Sequence, residues 1–247
     1  MKRLVAIVLA AGYATRLYPL TLDKPKALLE IGGLSLLDHL MVKIDALRDV
    51  ERAYVVSNGK FYKNFCEWNE NQKNKTPVKI LVDGTDSVET RLGAIGDIQF
   101  AIENEKIESD LLVVASDNFF DFGLNEAYAD FREKNADLIL MQRMKDMEAI
   151  KRFGVATLDE NNRAVEIEEK PKQPKSDVAV YATYFYKAET VPLFKQYLDE
   201  GNDKDAPGNF PAWLCKRKPV YGFIFRGNCY DIGTRETLEE ITKRYEK

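Results

Sequence analysis

Residues 4–16 read Leu-Val-Ala-Ile-Val-Leu-Ala-Ala-Gly-Tyr-Ala-Thr-Arg, and this stretch decides the fold. Leu4 to Leu9 is an unbroken apolar, β-branched run, the pattern of a parallel strand covered on both faces. The small residues that follow break the strand and open a loop at its carboxyl end. Similar runs recur at Arg52 to Ser57, Val78 to Asp83, Asp110 to Ala115 and Asp137 to Met141. Helical spacing fills the intervals at Ser35 to Leu47, Phe61 to Asn71, Leu92 to Glu103 and Leu124 to Lys134. Ser35, with Asp38 three residues on, has the form of an N-cap with a carboxylate in the first turn. Strand alternating with helix predicts an α/β fold, a Rossmann-like, doubly wound, right-handed and mostly parallel mixed sheet.

The rhythm changes after about Lys145. Gly154 to Glu168 predicts a hairpin turning at Asp159 to Asn162, and Val178 to Tyr186 a further strand. A helix near Glu189 to Leu198, a polar loop through Gly201 to Pro207, a strand around Val220 to Phe225 and a closing helix from Thr234 to Tyr245 complete the chain. The last third thus adds antiparallel strands to the same sheet. No flexible linker divides it from the rest, so residues 1–247 are expected to form a single domain with parts 1–145 and 146–247.

The composition fits that expectation. At roughly 150 residues per domain, 247 residues make one large domain or two small ones. A 45% hydrophobic, 31% charged chain can build an ordinary globular core. With 36 Lys and Arg against 40 Asp and Glu, the net charge of −4 gives no global positive field for nucleic acid, so any anion site must be local. Cys66, Cys215 and Cys229 are widely spaced and form no CxxC pair, which argues against a disulfide framework and a zinc site and predicts a cytoplasmic protein. Apolar runs fall short of the ~20 residues of a membrane helix, and Lys2-Arg3 before Leu4 to Ala11 lacks the remainder of a signal peptide.

Chemistry concentrates where the first strand ends. Ligands bind at such a strand end in doubly wound sheets. The Ala10-Ala11-Gly12 turn lets backbone N–H groups approach phosphate oxygens, and Arg16 and Lys26 add two cations. The text matches neither GxxxxGK[ST] nor GxGxxG. A solvated loop is the plain alternative for both cations. The lone histidine, His39, sits in an apolar helical stretch and reads as structural, which disfavours a Ser-His-Asp or Cys-His mechanism. Tyr181, Tyr184 and Tyr186 alternate on a strand and read as core.

Leu9-Ala-Ala-Gly-Tyr-Ala-Thr-Arg-Leu-Tyr-Pro-Leu-Thr21, followed by Lys24-Pro-Lys-Ala-Leu-Leu-Glu-Ile-Gly-Gly33, resembles the signature of the sugar-1-phosphate nucleotidyltransferases, the family that includes glucose-1-phosphate thymidylyltransferase. Ser116-Asp117-Asn118, Phe153-Gly154-Val155, Glu169-Lys170-Pro171 and Asp231-Ile-Gly-Thr234 follow in that family's order. The resemblance implies a Mg²⁺-dependent enzyme that joins an NTP to a sugar 1-phosphate and releases pyrophosphate. It implies nucleotide contacts at Leu9, Ala11, Gly12, Arg16, Lys26 and Gly93, with Arg16 and Lys26 on the triphosphate. Asp117 and Asp231 would hold the metal. Asn118, Gly154, Glu169 and Lys170 would meet the sugar phosphate. Each aspartate also has a plain reading: Asp117 as a turn cap, Asp231 as a residue ahead of a helix capped by Thr234. Lys170 lies in a run rich in both charges, so a solvated surface is its plain reading.

The chain departs from the family in two places. Ala94 stands where thymidylyl-type members carry a polar side chain toward the base, which leaves dTTP, UTP and CTP open and passes base reading to backbone groups or to Glu89, Thr90 or Arg91. An Arg-Gly-Glu stretch near the sugar phosphate is replaced by Lys204-Asp-Ala-Pro-Gly-Asn-Phe-Pro211, where Lys204 is the substitute for the arginine. The acceptor therefore stays open as well, with phosphocholine or an alditol phosphate as an alternative to a sugar. A glycosyltransferase would carry Asp-x-Asp where this chain has Ser-Asp-Asn. A non-catalytic nucleotide or sugar-phosphate sensor is the remaining alternative. The resemblance further implies a short form without a C-terminal β-helix, and family members often assemble as homo-oligomers.

Overall fold

A computed structural model describes residues 3–245. In chain order the elements are β1 (Leu4–Leu9), β2 (Glu30–Ile31), β3 (Leu34–Ser35), α1 (Leu36–Asp45), β4 (Val50–Ser57), α2 (Tyr62–Asn71), β5 (Val78–Val82), α3 (Ala94–Glu105), β6 (Asp110–Ala115) and β7 (Asn118–Phe120). There follow α4 (Asn125–Lys134), β8 (Asp137–Arg143), β9 (Gly154–Leu158), β10 (Ala164–Glu169), β11 (Val178–Tyr186), α5 (Val191–Asp199), α6 (Asn209–Leu214), β12 (Val220–Ile224), β13 (Cys229–Asp231) and α7 (Arg235–Tyr245). They form a mixed α/β fold with parallel and antiparallel strands, as the alternating pattern predicts. No helix of the described residues is long and apolar enough to cross a membrane.

The chain divides into two compact units. The first holds the described residues up to Leu92, together with Val114–Leu124 and those from Gly227 onward; the second holds Gly93–Val113 and Asn125–Arg226. β6 gives its first four residues to the second unit and its last two to the first.

In the first unit β1 pairs parallel with β4, Leu9 opposite Val56, and β4 pairs parallel with β5, Ser57 opposite Val82. The end of β6 lies on the other side of β1, where Ser116 N donates to Leu9 O at 3.1 Å. Leu4, Ala6, Ile7 and Val8 are fully buried, which is why this strand tolerates no polar residue. α1 starts on a capping box: Asp38 N donates to Ser35 Oγ and Ser35 N to Asp38 Oδ2, both at 3.0 Å. α7 closes a cluster of Ile31, Leu36, Phe119, Ile232 and Ile241. His39 belongs to this packing, its Nε2 2.8 Å from Ile31 O and its ring edge-on to Phe119.

In the second unit β10, β9 and β11 pair antiparallel, and β11 is also a neighbour of β6. β8 runs antiparallel to β11 and parallel to β12. Each of these antiparallel pairs involves β9, β10 or β11, strands of the last third, in line with the change in sequence pattern after Lys145. The apolar DLILM of β8 is buried on both faces and shows no alternation. The turn at Asp159 to Asn162 forms as expected, with Asp159 Oδ1 accepting from Asn161 N and Arg163 N at 2.9 Å and Asn162 in the left-handed region.

Two buried ion pairs sit in this unit. Lys187 Nζ reaches Asp110 Oδ2 at 3.0 Å, both side chains being 1–2% exposed, and lies 4.7 Å over the Phe131 ring. Asp137 accepts from Lys187 N at 2.7 Å, from the Thr190 hydroxyl, and pairs with Lys218 at 3.0 Å. Burial raises the Asp137 carboxyl, and these donors pull it back.

α6 is absent from the expected elements, which give only a polar loop before it. Phe210, Trp213 and Leu214 are its buried face, with Phe210 stacked on Phe194 of α5 at 3.8 Å between ring centroids. Tertiary packing makes this short segment helical where its Pro211 and length give no local signal.

Candidate active site

The loop after β1 is held from behind. Ala10 N donates to Val56 O at 2.9 Å, and Asn58 Nδ2 donates to Ala11 O at 2.8 Å. Ala14 takes the left-handed conformation at φ 48°, costly for a residue with a Cβ, and the Thr21 hydroxyl holds its carbonyl at 2.8 Å. Among the described residues, the amides of residues 11–16 donate to no protein acceptor. A side chain built on Gly12 would meet nothing within 4 Å, so the space above that backbone is open. Arg16 is exposed on the same loop and pairs with no carboxylate among the described residues. A run of free amides beside a cation is a preformed anion cradle.

Lys26 stands in a single helical turn at Lys26–Leu28 and is 14% exposed along its side chain. Its Nζ lies 2.8 Å from Asp117 Oδ2 and 3.7 Å from Asp231 Oδ1. The two contacting oxygens are therefore no more than 6.5 Å apart. The backbone brings the aspartates together: β7 pairs antiparallel with β13 so that Asn118 faces Asp231, and Ile232 N donates to Asp117 O at 3.1 Å. The Thr234 cap that the plain reading of Asp231 expects is present, and the two carboxylates also share a neighbour. Both carboxylates turn to one ammonium, and Thr234 accepts from Thr237 N at the start of α7. The Asn118 side chain is buried, and its Nδ2 has no hydrogen-bond partner.

This donor set suits a hard divalent ion. Among the described residues no group of three or more His, Cys, Asp or Glu could hold a metal by itself. An ion on Asp117 and Asp231 would complete its shell with water and phosphate oxygens, as Mg²⁺ does.

In the second unit the register of β9 and β10 sets Gly154 opposite Glu169. A Cβ on Gly154 would stand 3.1 Å from Glu169 Oε2, and one on Gly208 would collide with that oxygen. Lys170, in the left-handed region at φ 47°, places Nζ 3.6 Å from Glu169 Oε1 and is 62% exposed. Burial raises the Glu169 carboxyl and the neighbouring Lys170 offsets part of it. A carboxyl raised in the native state adds stability when protonated and loses it as pH rises through the native value. Glu169→Gln is therefore expected to gain stability over the natural protein on going from pH 5 to pH 8, read as a difference in urea midpoints. A constant difference across that range would contradict this. Gly208 is the residue missed at this site, because its role depends on packing across 39 residues of chain. Tyr184 and Tyr186 are buried and stacked, and Tyr181 donates to Gln142 at 3.0 Å.

Gly93, at φ 81° and ψ 161°, precedes α3. A Cβ there would stand 2.6 Å from Lys204 O, the carbonyl that accepts from Ile95 N at 2.9 Å, while Ala94 N donates to Asp205 O at 3.2 Å. Lys204 and Asp205 thus cap α3 with their backbone. Gly93→Ala is expected to cost about 1–3 kcal/mol, since this backbone region is open only to glycine. An unchanged urea midpoint would show that the contact yields freely.

A family model described as nucleotidyl transferase matches residues 5–247. A Sulfolobus acidocaldarius protein provisionally named mannose-1-phosphate guanyltransferase is 30% identical over 98% of this chain and 64% of its own length. The bifunctional protein GlmU of Methanococcus aeolicus is 28% identical over 92% of this chain and 51% of its own. The chain thus spans about half to two thirds of the length of these curated relatives. The crystal structure of a Bacillus anthracis protein provisionally called a glucose-1-phosphate thymidylyltransferase, solved with sucrose, shares the fold at a TM-score of 0.81. It is 22% identical, and the match covers 99% of this chain and 96% of that one.

Proposed function

We propose, from the premise that this chain belongs to the nucleotidyl transferase family, that it joins a nucleoside triphosphate to a sugar 1-phosphate to give an NDP-sugar and pyrophosphate. The observation that carries the reading is the convergence of Asp117 and Asp231 on Lys26. The name of the Sulfolobus relative, with its sugar 1-phosphate acceptor, supports it.

A non-bridging oxygen of the sugar phosphate forms a bond to the α-phosphorus as the bond to the departing pyrophosphate breaks, in line. The attacking oxygen is already ionised at neutral pH, so no side chain has to serve as nucleophile or base. What the protein must supply is alignment and neutralisation of two polyanions. Arg16 and Lys26, with the loop from Leu9 through Ala11 and Gly12, hold the triphosphate, and Arg16 steadies the pyrophosphate as it leaves. Gly93 is assigned to the nucleotide side through the turn it permits. Asp117 and Asp231 would hold Mg²⁺, which supplies charge neutralisation on the phosphates when bound.

Lys170 binds the phosphate of the acceptor, and Glu169 accepts from a sugar hydroxyl. Gly154 leaves the sugar ring room, and the unpartnered Asn118 amide offers it a donor. The three cysteines are free, in keeping with a cytoplasmic setting.

Pyrophosphate release, measured over a matrix of ATP, CTP, GTP, UTP and dTTP against sugar 1-phosphates and phosphocholine, tests the reading. Release that requires a sugar 1-phosphate is the expected result. Release with phosphocholine alone would move the acceptor class, and none in any cell of the matrix would overturn the proposal.

A further inference from the structure

The carboxyl ends of β4 and β5 build an acidic wall next to the anion cradle, all within the first unit. Asp83 follows β5, its N–H bonded to Ser57 O at 2.9 Å, and its carboxylate accepts from Thr85 N at 2.8 Å and from the Thr85 hydroxyl. Gly59 N donates to Thr85 O at 2.7 Å. The exposed Asp86 carboxylate lies directly over the backbone of Gly59, in the space its missing Cβ would fill. The segment from Asp83 to Asp86 is thereby fixed against the Ser57-Asn58-Gly59 turn, which also holds Ala11 of the cradle through Asn58.

Tyr13, from the cradle itself, faces this wall. It is 7% exposed, and its hydroxyl lies near that of Thr85 yet makes no hydrogen bond of normal length. Burial raises the phenol, Thr85 pulls it back, and the charges of Asp83, Asp86 and Glu89 add to the upward shift. A buried hydroxyl left without a partner among carboxylates is a polar group waiting for a ligand atom. The nucleotide's triphosphate, on the amides of the same loop, puts its nucleoside within reach.

Carboxylates discriminate between bases by a simple rule. They accept from the exocyclic amino group of cytosine or adenine, or from the C2 amino group of guanine, and they repel the O4 carbonyl that uracil and thymine carry in place of cytosine's amino group beside their N3–H. We propose that Asp83, Asp86 and Tyr13 make this site select a triphosphate whose base carries an exocyclic amino group, CTP, GTP or ATP, over UTP and dTTP. The inference rests on the nucleotidyl transfer reading above and adds the class of base to it. Ala94, which has no polar atom beyond its backbone, then needs no reading role, because discrimination comes from the opposite end of the segment.

Calorimetric binding of CTP against UTP, and of GTP and ATP against ITP, isolates the amino group, since each pair shares ribose and triphosphate. At least one amino-bearing triphosphate is expected to bind about tenfold or more tightly than its partner lacking the group. Asp86→Asn is expected to erase most of that ratio, by weakening the amino-bearing triphosphate and easing the repulsion of UTP, and Glu89→Gln repeats the test at the exposed rim should the first variant fold poorly. Equal binding within every pair, or tighter UTP or ITP, would overturn the base assignment while leaving nucleotidyl transfer standing. Binding of none of these triphosphates would instead sink the functional reading, and this inference with it.

Discussion

Asparagine in place of Asp117 or Asp231 is expected to lower turnover by about two to three orders of magnitude, the scale of losing one preorganised electrostatic group at a reacting phosphate. Asparagine has the same shape and keeps an oxygen that accepts from Lys26 Nζ, so the geometry around the ammonium survives while one negative charge is removed. The two side chains are 36% and 56% exposed, and neither anchors the fold. Melting temperatures within a few degrees of the natural protein should accompany the lost activity. The loss should also deepen when Mg²⁺ is made limiting, because the surviving carboxylate is left to hold the ion with less help. Near-normal turnover in either purified variant would remove the metal assignment, and a collapse of the fold in both would show that the pair is structural.

The largest effect on stability is expected at Lys187. Replacing it with methionine keeps the length of the side chain but strands the Asp110 carboxylate, which is 1% exposed. Arg132 stands 3.7 Å from that carboxylate and Ala188 N donates to it at 2.8 Å, yet neither replaces a buried ammonium at 3.0 Å. Breaking one side of a buried pair costs about 3–5 kcal/mol. Urea denaturation should show it, and Lys187→Met combined with Asp110→Leu should recover most of the loss, since an apolar pair leaves no charge unpaired. A single-variant cost below about 1 kcal/mol would mean that water or a neighbouring cation reaches Asp110.

Much of this architecture is written in local patterns. The runs at Leu4, Asp110 and Val178 give β1, β6 and β11 residue for residue, and the Ser35 and Asp38 pair marks the start of α1 because a capping box needs only four residues to be visible. The elements that escape are those whose reason for existing lies elsewhere in the chain. β7 and β13 are three residues each and become strands only by pairing with each other, across more than a hundred residues. α6 needs the aromatic face of α5.

The site divides in the same way. The loop from Leu9 to Arg16 is legible because a strand followed by small residues and a cation is a local signal. The placement of Asp117 and Asp231 on one ammonium rests on the β7–β13 pairing, and no spacing rule could supply it. Lys204 reads in the sequence as a cation, whereas its contact in the structure comes from its backbone carbonyl, a group every residue carries. Tyr13 and Asp83 carry no local signal, because their proximity depends on the order of strands in the sheet.

Lys26 has one more consequence. Two like charges brought together before any ligand arrives would ordinarily push each other apart and loosen the strands that carry them. The Lys26 ammonium, 2.8 Å from Asp117 and 3.7 Å from Asp231, offsets that repulsion and keeps the acidic pair facing one point. On the proposed reading, a divalent ion would enter a berth that the lysine has already shaped.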